Sequence, residues 1–390
     1  MLNNRYYKNL IENISEKPAV VINTFKDGKH FWGINNDENM TIDVIIGNPP
    51  YQLTVAKKET DNGQKAVVNI FQHFQILADK IKPRYTSLIY PGGRWIHQSG
   101  KGLAEFGLEQ INDVHLALVE FFPDTNYIFK DAGIADGISI VFKDFSKKKS
   151  GFTYRYAGLL PIHVENPGEK LMPLNPTNMI IVEKIEKVVS QKGFAYLHDT
   201  ILPRSLFSIE SDFVEKNPSL VREYNVADPF DLETEIKLFT NDKAGKSGRA
   251  KWYIANKNII STGREYINTW KVVVSSANAG GQKRSNQIAI LDNHSAFGRS
   301  RVALKTFKSE QEAKNFLAYA QSDLIRFAFL LTDESLSSLA KLVPDIGNYH
   351  NDNGVIDFSK DVSEQLYNIF KITDHQTISH IKAVLATKSV

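Results

Sequence analysis

The stretch Asp43-Val44-Ile45-Ile46-Gly47-Asn48-Pro49-Pro50-Tyr51-Gln52 decides the fold of this 390-residue chain. Its consecutive apolar residues, Val44 to Ile46, make the short run that is typical of a parallel strand covered on both faces. Gly47 ends the run, and the two prolines that follow Asn48 have no amide hydrogen to donate to a sheet ladder. The stretch therefore predicts a buried strand that stops in a rigid turn.

The turn suits the binding of an amino group on a planar ring. Pro49 keeps Asn48 out of the helical region, so the Asn48 side chain can project from the carboxyl end of the strand, where open α/β sheets bind ligands. The Asn48 side-chain oxygen and the Pro49 carbonyl can together accept both hydrogens of an amine, and the Tyr51 ring can stack on a flat heterocycle. A tight turn without function is the alternative.

The sequence Asn48-Pro49-Pro50-Tyr51 after an apolar strand resembles the catalytic motif of amino-group methyltransferases, above all the N6-adenine DNA methyltransferases. In that family the Asn side chain and the first Pro carbonyl bind the target amine, and the Tyr stacks on a base flipped out of the duplex. The resemblance implies that Asn48, Pro49, Pro50 and Tyr51 are catalytic. It also implies S-adenosylmethionine as cofactor and a reaction without a metal ion or a covalent intermediate.

A second pair of motifs resembles the adenine methylases of type II, IIG-like, restriction-modification systems. Pro91-Gly92-Gly93-Arg94-Trp95 follows a strand predicted at 87–90, and Gly100-Lys101-Gly102-Leu103-Ala104-Glu105-Phe106 comes after it. The family pattern has a single small residue, Ser, where this chain has Gly92-Gly93, and the departure puts the shape of the turn in doubt. Arg94 and Trp95 are expected either to shape the rim of the pocket or to be structural.

The cofactor motif is missing from this resemblance. No FxGxG sequence occurs in the chain, and the sole GxG, Gly100-Lys101-Gly102, does not directly follow a strand. About forty residues before Asp43 are too few for three strands with their crossover helices. We therefore expect a fragment or one half of a split enzyme, with the cofactor motif supplied by a companion chain or an N-terminal segment. A member that has lost its cofactor site is the alternative.

The expected fold is α/β, with the carboxyl-terminal half of a Rossmann-like methyltransferase sheet that includes an antiparallel hairpin edge. A mixed α+β target-recognition domain and C-terminal helices are expected to follow it. The polar stretch 54–64 is predicted to be a mobile loop beside the site, and the apolar spacing predicts an amphipathic helix over 67–81. Strands are predicted at 116–122 and 136–142.

The loop that joins these two strands is expected to supply a second aromatic ring. In the family that the turn resembles, an aromatic residue of this loop stacks on the other face of the flipped base. The resemblance implies Phe129 for this role, with Phe122 as the rival, and packing in the core is the alternative for both residues.

Positive charge is concentrated between residues 243 and 308. This segment has thirteen basic and two acidic residues, a net charge of +11, whereas the whole chain carries +3 and the remainder therefore carries −8. Such asymmetry is typical of a surface that follows a phosphate backbone, although a solvated basic surface is the alternative. Short strands are predicted here at 251–254 and 270–274. The residues expected to bind double-stranded DNA are Lys246, Arg249, Lys251, Lys271, Lys283, Arg284, Arg299 and Arg301.

We expect three parts in the chain. They are an incomplete methyltransferase catalytic domain over 1–150, a target-recognition domain over 151–308 and a helical region over 309–390. A helix is predicted at 309–331, opened by a capping box at Ser309, and a last helix at 373–386.

Composition and spacing exclude several other classes of protein. Hydrophobic and charged fractions of 42% and 23% are those of a soluble globular protein, and the absence of a long apolar run or a signal sequence predicts no membrane span and a cytoplasmic location. The chain has no cysteine, which excludes disulfides and thiolate zinc sites, and its histidines show no metal-binding spacing. Gly245-Lys246-Ser247 lacks the first glycine of a phosphate-binding loop, and Glu235-Ile236-Lys237 lacks the context of a nuclease core.

The leading hypothesis is the target-base-binding and DNA-recognition portion of a DNA adenine-N6 methyltransferase from a restriction-modification system. Two alternatives stay open. The same turn would present the amide nitrogen of a protein glutamine or a base nitrogen of ribosomal RNA equally well. The chain would otherwise be a non-catalytic DNA-binding subunit that lacks a usable cofactor site.

Overall fold

The structure is a computed structural model that describes residues 42–55, 66–100, 102–130, 134, 136–227, 229–245, 248–276, 288–332 and 336–387. Most of the polar stretch 54–64 lies outside these residues, and so do Lys246, Lys283 and Arg284. The described residues form a mixed α/β protein with several sheets.

Eight strands lie in the N-terminal part of the chain that the structure describes. They are β1 (Val44–Gly47), β2 (Gln52–Val55), β3 (Ala66–Asn69), β4 (Tyr85–Pro91), β5 (Leu116–Phe122), β6 (Ile138–Asp144), β7 (Phe152–Tyr156) and β8 (Ile162–Val164). Strands β2 and β3 pair with each other, and the other six form one sheet in the order β1-β4-β6-β5-β7-β8. Because β7 and β8 belong to this sheet, the first structural unit runs past the expected boundary at residue 150.

The strand directions place two turns and one loop at the same edge of the sheet. β1 runs parallel to β4, and β6 runs antiparallel to both β4 and β5, so β1, β4 and β5 all point the same way. The carboxyl ends of these three strands therefore share an edge. That edge carries the turn at 48–51, the turn at 91–95 and the loop between β5 and β6.

Two helices, α1 (Phe71–Ile81) and α2 (Ala104–Asn112), cover one face of this sheet. They bury an aromatic cluster in which the rings of Phe71, Tyr90 and Phe106 are in contact. The Lys143 ammonium group lies fully buried beneath them, 2.9 Å from Asp79 and 2.6 Å from Asp113. This ion pair network ties β6 to α1 and to the segment that follows α2.

In the second half of the chain, the described residues form two further sheets and one short pair of strands. Its strands are β9 (Ala195–Tyr196), β10 (Val221–Glu223), β11 (Glu235–Asn241), β12 (Ala250–Asn256), β13 (Trp270–Ser275), β14 (Ile288–Leu291), β15 (Ser295–Phe297), β16 (Arg301–Phe307) and β17 (Pro344–Asp345). The sheet orders are β10-β12-β11-β15 and β14-β13-β16, and β9 pairs with β17. The strands predicted at 251–254 and 270–274 correspond to β12 and β13.

Helices pack around the three-stranded sheet. They are α3 (Met179–Lys192), α5 (Glu310–Gln321), α6 (Asp323–Leu330), α7 (Val362–Ile369) and α8 (His375–Thr387), and a short α4 (Phe213–Lys216) lies apart from them. One apolar core joins these five helices to β13 and β16. The helical region at 309–390 therefore shares its core with strands from the expected target-recognition domain.

The two predicted helices at 67–81 and 309–331 differ from the observed elements. Residues 66–69 form β3, and the first helix begins at Phe71, because Val67 and Val68 pair with β2. The second stretch is two helices that break at Ser322, whose backbone is extended. The predicted capping box at Ser309 is present, and the strand predicted at 116–122 matches β5.

Candidate target-base site and DNA-facing surface

The turn that follows β1 presents its polar side chain outward. Asn48 is exposed, while Pro49 is buried against the protein and Tyr51 is half-buried. The backbone of the turn is anchored on its far side, because the amide of Ile70 donates a hydrogen bond of 3.0 Å to the Tyr51 carbonyl. The turn is therefore held between the end of β1 and the start of α1, with Asn48 left available to a ligand.

Asn48 and both prolines line a cavity of about 280 Å³. The rest of its wall is apolar and comes from β1, from Leu88 of β4 and from α1, which contributes Phe74, Leu77, Ala78 and Ile81. Among the described residues that form this wall, Asn48 alone has a polar side chain. An apolar lining with a few placed polar groups is typical of small-molecule pockets in general.

Tyr51 is set up as an uncharged ring. Burial raises the pKa of its hydroxyl, and the nearby Asn48 side chain offsets part of the rise. The two groups do not meet the geometry of a hydrogen bond, and among the described residues the buried hydroxyl has no partner. Tyr51 is therefore neutral at physiological pH, and its ring can stack without carrying a charge.

The turn at 91–95 is built on its two glycines. Gly92 has a φ of +64°, and a Cβ atom on Gly93 would lie 2.5 Å from the Leu174 side chain. The left-handed φ and the nearby Asp136 backbone therefore explain the glycine at 92, whereas a side chain at 93 would require only that the Leu174 side chain move. Trp95 is fully buried and donates a hydrogen bond of 2.8 Å to Ser139, which makes its role structural.

Arg94 lies at the rim of the same edge. Its guanidinium group is 2.8 Å from the Asp136 carboxylate, and both side chains are exposed to solvent. Asp136 belongs to the loop that connects β5 to β6. The pair therefore links the turn after β4 to the loop that was expected to supply the second stacking ring.

Phe129 lies in this loop and is half-buried, with its amide donating to the Thr125 carbonyl at 2.8 Å. Phe122 ends β5 and is also half-buried. Tyr127 was not among the residues predicted for stacking. It is 68% exposed, more than any other aromatic residue described in this loop. Tyr127 and Phe129 lie two residues apart in this loop, so no local sequence pattern separates their roles.

The basic residues of the segment 243–308 fall into two groups. The Lys271 side chain is fully buried, and its ammonium group donates to the backbone carbonyls of Tyr266, Ile267, Thr269 and Asp292. Burial lowers the pKa of Lys271 to about 7, although the negative charge of Asp292 acts to raise it. Lys271 therefore cannot contact a phosphate in this structure, and the expectation that it binds DNA is corrected.

Arg301 is corrected for the same reason. Its side chain is buried, and its guanidinium carbon lies 4.7 Å from the centroid of the Phe239 ring. Lys305, which adds to the basic excess, is likewise engaged inside the protein by Asp345. Part of the positive charge counted along the chain therefore lies inside the second half and is not available to DNA.

Arg249, Lys251 and Arg299 are exposed to solvent or nearly so. Arg299 pairs with Glu210 at 2.6 Å, and Lys251 lies 3.5 Å from Glu223. Arg249 and Lys251 flank the start of β12. These residues, together with the exposed Lys243, make up the described part of the expected DNA-binding surface.

The N-terminal third of the chain matches a known protein family. Residues 1–129 match the family model described as Eco57I restriction-modification methylase. A protein from Mycoplasma pneumoniae called "Uncharacterized adenine-specific methylase" is 35% identical over 95 residues, which cover 21% of this chain and 22% of that protein. The match spans about a fifth of the curated relative. The resemblance to restriction-modification adenine methylases is therefore confirmed.

Solved restriction-modification enzymes overlap with longer parts of the chain at low identity. The type IIL enzyme MmeI in complex with DNA is 9% identical, with coverage of 88% of this chain and 56% of that chain and a TM-score of 0.35. A nuclease-deletion mutant of the type ISP enzyme LlaGI in complex with a DNA substrate mimic is 10% identical, with coverage of 90% and 46% and a TM-score of 0.41. TM-scores below 0.5 do not establish a shared overall fold.

Two features are absent from the described residues. Among them, no helix combines the length and the apolar character needed to cross a bilayer. No group of three or more metal-ligating side chains comes together in the same part of the chain.

Proposed function

We propose that this chain is the target-base-binding and DNA-recognition portion of a DNA adenine-N6 methyltransferase of a restriction-modification system. The methyl group would come from S-adenosylmethionine, and the acceptor would be the exocyclic amine of an adenine flipped out of the duplex. The observation that carries the proposal is the exposed Asn48 side chain on a proline-stiffened turn at the carboxyl edge of parallel strands.

The chemistry of the turn fits this acceptor. Both hydrogens of the adenine amine can be accepted, one by the Asn48 side-chain oxygen and the other by the Pro49 carbonyl. These two hydrogen bonds would fix the direction of the lone pair on the amine nitrogen and raise the electron density of that nitrogen. Positioning and preorganised dipoles of this kind promote methyl transfer. The apolar wall of the cavity excludes water from the amine.

Stacking would hold the base in this position. Tyr51 would supply one face through its ring, while its hydroxyl is buried in the protein. The loop between β5 and β6 would supply the other face, with Phe129 as our choice. Because the loop and the turn lie on the same edge of the sheet, both rings can belong to one site.

The described residues do not account for binding of S-adenosylmethionine. No FxGxG sequence follows a strand in the described part of the chain, and the double glycine after β4 does not have this spacing. We therefore assign to this chain only the binding and orientation of the amine. The cofactor site would come from a companion chain or an N-terminal segment.

The exposed edge of the sheet at β1 supports the proposal that the cofactor site lies in another chain or segment. Among the described residues, β1 pairs only with β4, and its side chains Val44 and Ile46 are 52% and 75% exposed. Sheets with parallel strands are normally covered on both faces, and an open apolar edge strand is a site for strand pairing. A cofactor-binding half that adds strands beyond β1 would cover these residues. The six-stranded sheet would then be the carboxyl-terminal half of a Rossmann-like methyltransferase sheet.

The partner that this proposal requires is double-stranded DNA. The exposed Arg299, Lys251 and Lys243 provide positive charge in the second half of the chain. Their attraction to DNA phosphates would weaken as the salt concentration rises. Action on the DNA of the cell implies a cytoplasmic location.

Two binding measurements test the proposal on the full 390-residue chain. We expect the chain to bind duplex DNA with an affinity that falls steeply as salt is raised, measured by fluorescence anisotropy. Calorimetry with S-adenosylmethionine is expected to show weak binding or none until the companion half is added. Absence of DNA binding at low salt would contradict the proposal.

A further inference from the structure

We propose that Arg299 contacts a guanine base in the major groove and that Glu210 holds its guanidinium group in position before DNA binds. The inference rests on the proposed function of this chain as a DNA-recognition portion. It goes further because it separates one residue of the basic segment from those that only attract phosphates.

Arg299 lies at one end of the four-stranded sheet. Strands β11 and β15 are parallel and end at Asn241 and Phe297, whereas the antiparallel β12 begins at Ala250. These three strand ends therefore meet at the same end of the sheet. Arg299 follows Phe297 by two residues, so it shares this end with the exposed Lys243.

The backbone of Arg299 is fixed by three segments of the chain. Its amide donates a hydrogen bond of 2.9 Å to the Ile209 carbonyl, and its carbonyl accepts one of 3.3 Å from the Ser276 hydroxyl. The preceding residue, Gly298, donates to the Phe239 carbonyl at 3.0 Å. The position from which the side chain starts is therefore set by both sheets of the second half.

Gly298 shows how closely this turn is packed. A Cβ atom at this position would lie 1.9 Å from the Thr240 hydroxyl oxygen, so no larger residue fits without displacing the strand end. A tight turn of this kind restricts where the next side chain can point. Precise placement is what reading of a base edge needs, whereas attraction to a phosphate needs only charge.

The guanidinium group itself remains accessible. Its Nη1 atom is 2.6 Å from a Glu210 carboxylate oxygen, and the two side chains are 37% and 58% exposed. An exposed ion pair of this type is weakened by solvent and salt, so DNA can replace the carboxylate as partner. By contrast, Lys271 and Arg301 are engaged inside the protein.

Arginine is suited to guanine by its shape. The planar fork of two N–H donors matches the O6 and N7 acceptors that guanine presents in the major groove. Lysine carries the same charge without this fork. A lysine substitution therefore distinguishes a base contact from a phosphate contact.

The test uses the full chain and a library of duplex DNA with a randomised central segment. Bound duplexes are sequenced for the wild type, Arg299→Lys and Arg299→Ala. We expect the wild type to select guanine at a defined position, and both variants to lose that preference by about tenfold to a hundredfold. Affinity for random duplex is expected to change much less.

Arg222→Ala is the matched control. Arg222 also forms an Arg–Glu pair, 3.1 Å from Glu235, with a similarly exposed guanidinium group. Glu235 begins β11 and Asn241 ends it, so this pair lies toward the opposite end of the same sheet, roughly 20 Å away. The control is expected to keep the base preference of the wild type.

The outcomes separate this inference from the proposed function. If Arg299→Lys keeps the guanine preference and Arg299→Ala weakens binding to all sequences equally, Arg299 contacts a phosphate and the inference is wrong, while the proposed function stands. If the wild-type chain binds no DNA, both fail. Thermal unfolding of each variant verifies that a lost preference does not come from a lost fold.

Discussion

Tyr51 and Asn48 have different tasks in the proposed site, and substitutions of Tyr51 can separate them. Tyr51→Phe keeps the ring and removes only the unpartnered hydroxyl, so we expect methyl transfer by the complete enzyme to fall by less than about fivefold. Tyr51→Ala removes stacking worth about 1–3 kcal/mol, which corresponds to roughly a 5- to 150-fold loss. Initial rates of tritiated methyl incorporation into DNA measure both.

The pH dependence of the Tyr51 variants provides the control. Because burial raises the pKa of Tyr51, its hydroxyl stays protonated at and above physiological pH, and no titration of this group is expected between pH 6 and pH 9. The pH profiles of wild type and Tyr51→Phe should therefore coincide. Equal, large losses in Tyr51→Phe and Tyr51→Ala would argue for a role of the hydroxyl and against simple stacking.

At the scale of single residues, the turn at 48–51 follows β1 as predicted. Val44 and Ile46 of β1, however, are exposed where a buried strand was expected, and some of the basic residues lie inside the protein. The turn is local chemistry, because two prolines restrict the backbone wherever they occur. The count of basic residues contains no information on burial. Lys271 and Arg301 were expected on the surface, but the fold places their charges among backbone carbonyls and against an aromatic ring.

The buried Lys143 shows how elements of the first sheet depend on one another. Its ammonium group joins β6 to Asp79 of α1 and to Asp113 after α2. Lys143→Met would leave two carboxylates near an apolar interior without a counter-charge. We expect a loss of unfolding free energy on the order of 3 kcal/mol, measured by urea denaturation at pH 7, whereas the exposed Lys149→Met should have little effect.

The acid stability of the protein tests the same network. Burial alone would raise the pKa of Asp113, but the charge and hydrogen bond of Lys143 outweigh it and lower the pKa below its ordinary value of 3.8. The folded state thus favours ionised Asp113, and this contribution is present above about pH 4 and lost as the pH falls through the folded-state pKa. The wild type should lose more stability than Lys143→Met on acidification from pH 5 to pH 3. A parallel loss in both proteins would contradict the assigned role.

Elements were predictable where their signals are local. The capping box at Ser309 and the strand at 116–122 follow from short patterns, and the structure contains both. The helix predicted at 67–81 begins later, since pairing with β2 recruits residues 66–69 into a strand. Apolar periodicity cannot foresee such pairing, because it depends on a partner elsewhere in the chain.

At the scale of the whole molecule, the domain limits remain the least predictable feature. The first sheet includes β7 and β8 beyond residue 150, and the C-terminal helices share a core with β13 and β16. Composition changed near 150 and 309, but the cores do not divide at those points. The order β1-β4-β6-β5 places β1 at the edge of the described sheet with Val44 and Ile46 exposed, and under our proposal a cofactor-binding half would cover them.

The central claim is that the turn at 48–51 holds the amine of an extrahelical adenine. The most direct test is the content of N6-methyladenine in genomic DNA, measured by nucleoside mass spectrometry in cells that express the complete enzyme with Asn48 or with Asn48→Ala. We predict N6-methyladenine with the wild type and none above background with the variant, while both proteins bind DNA equally well. Continued methylation by Asn48→Ala, or a parallel loss of DNA binding, would contradict the claim.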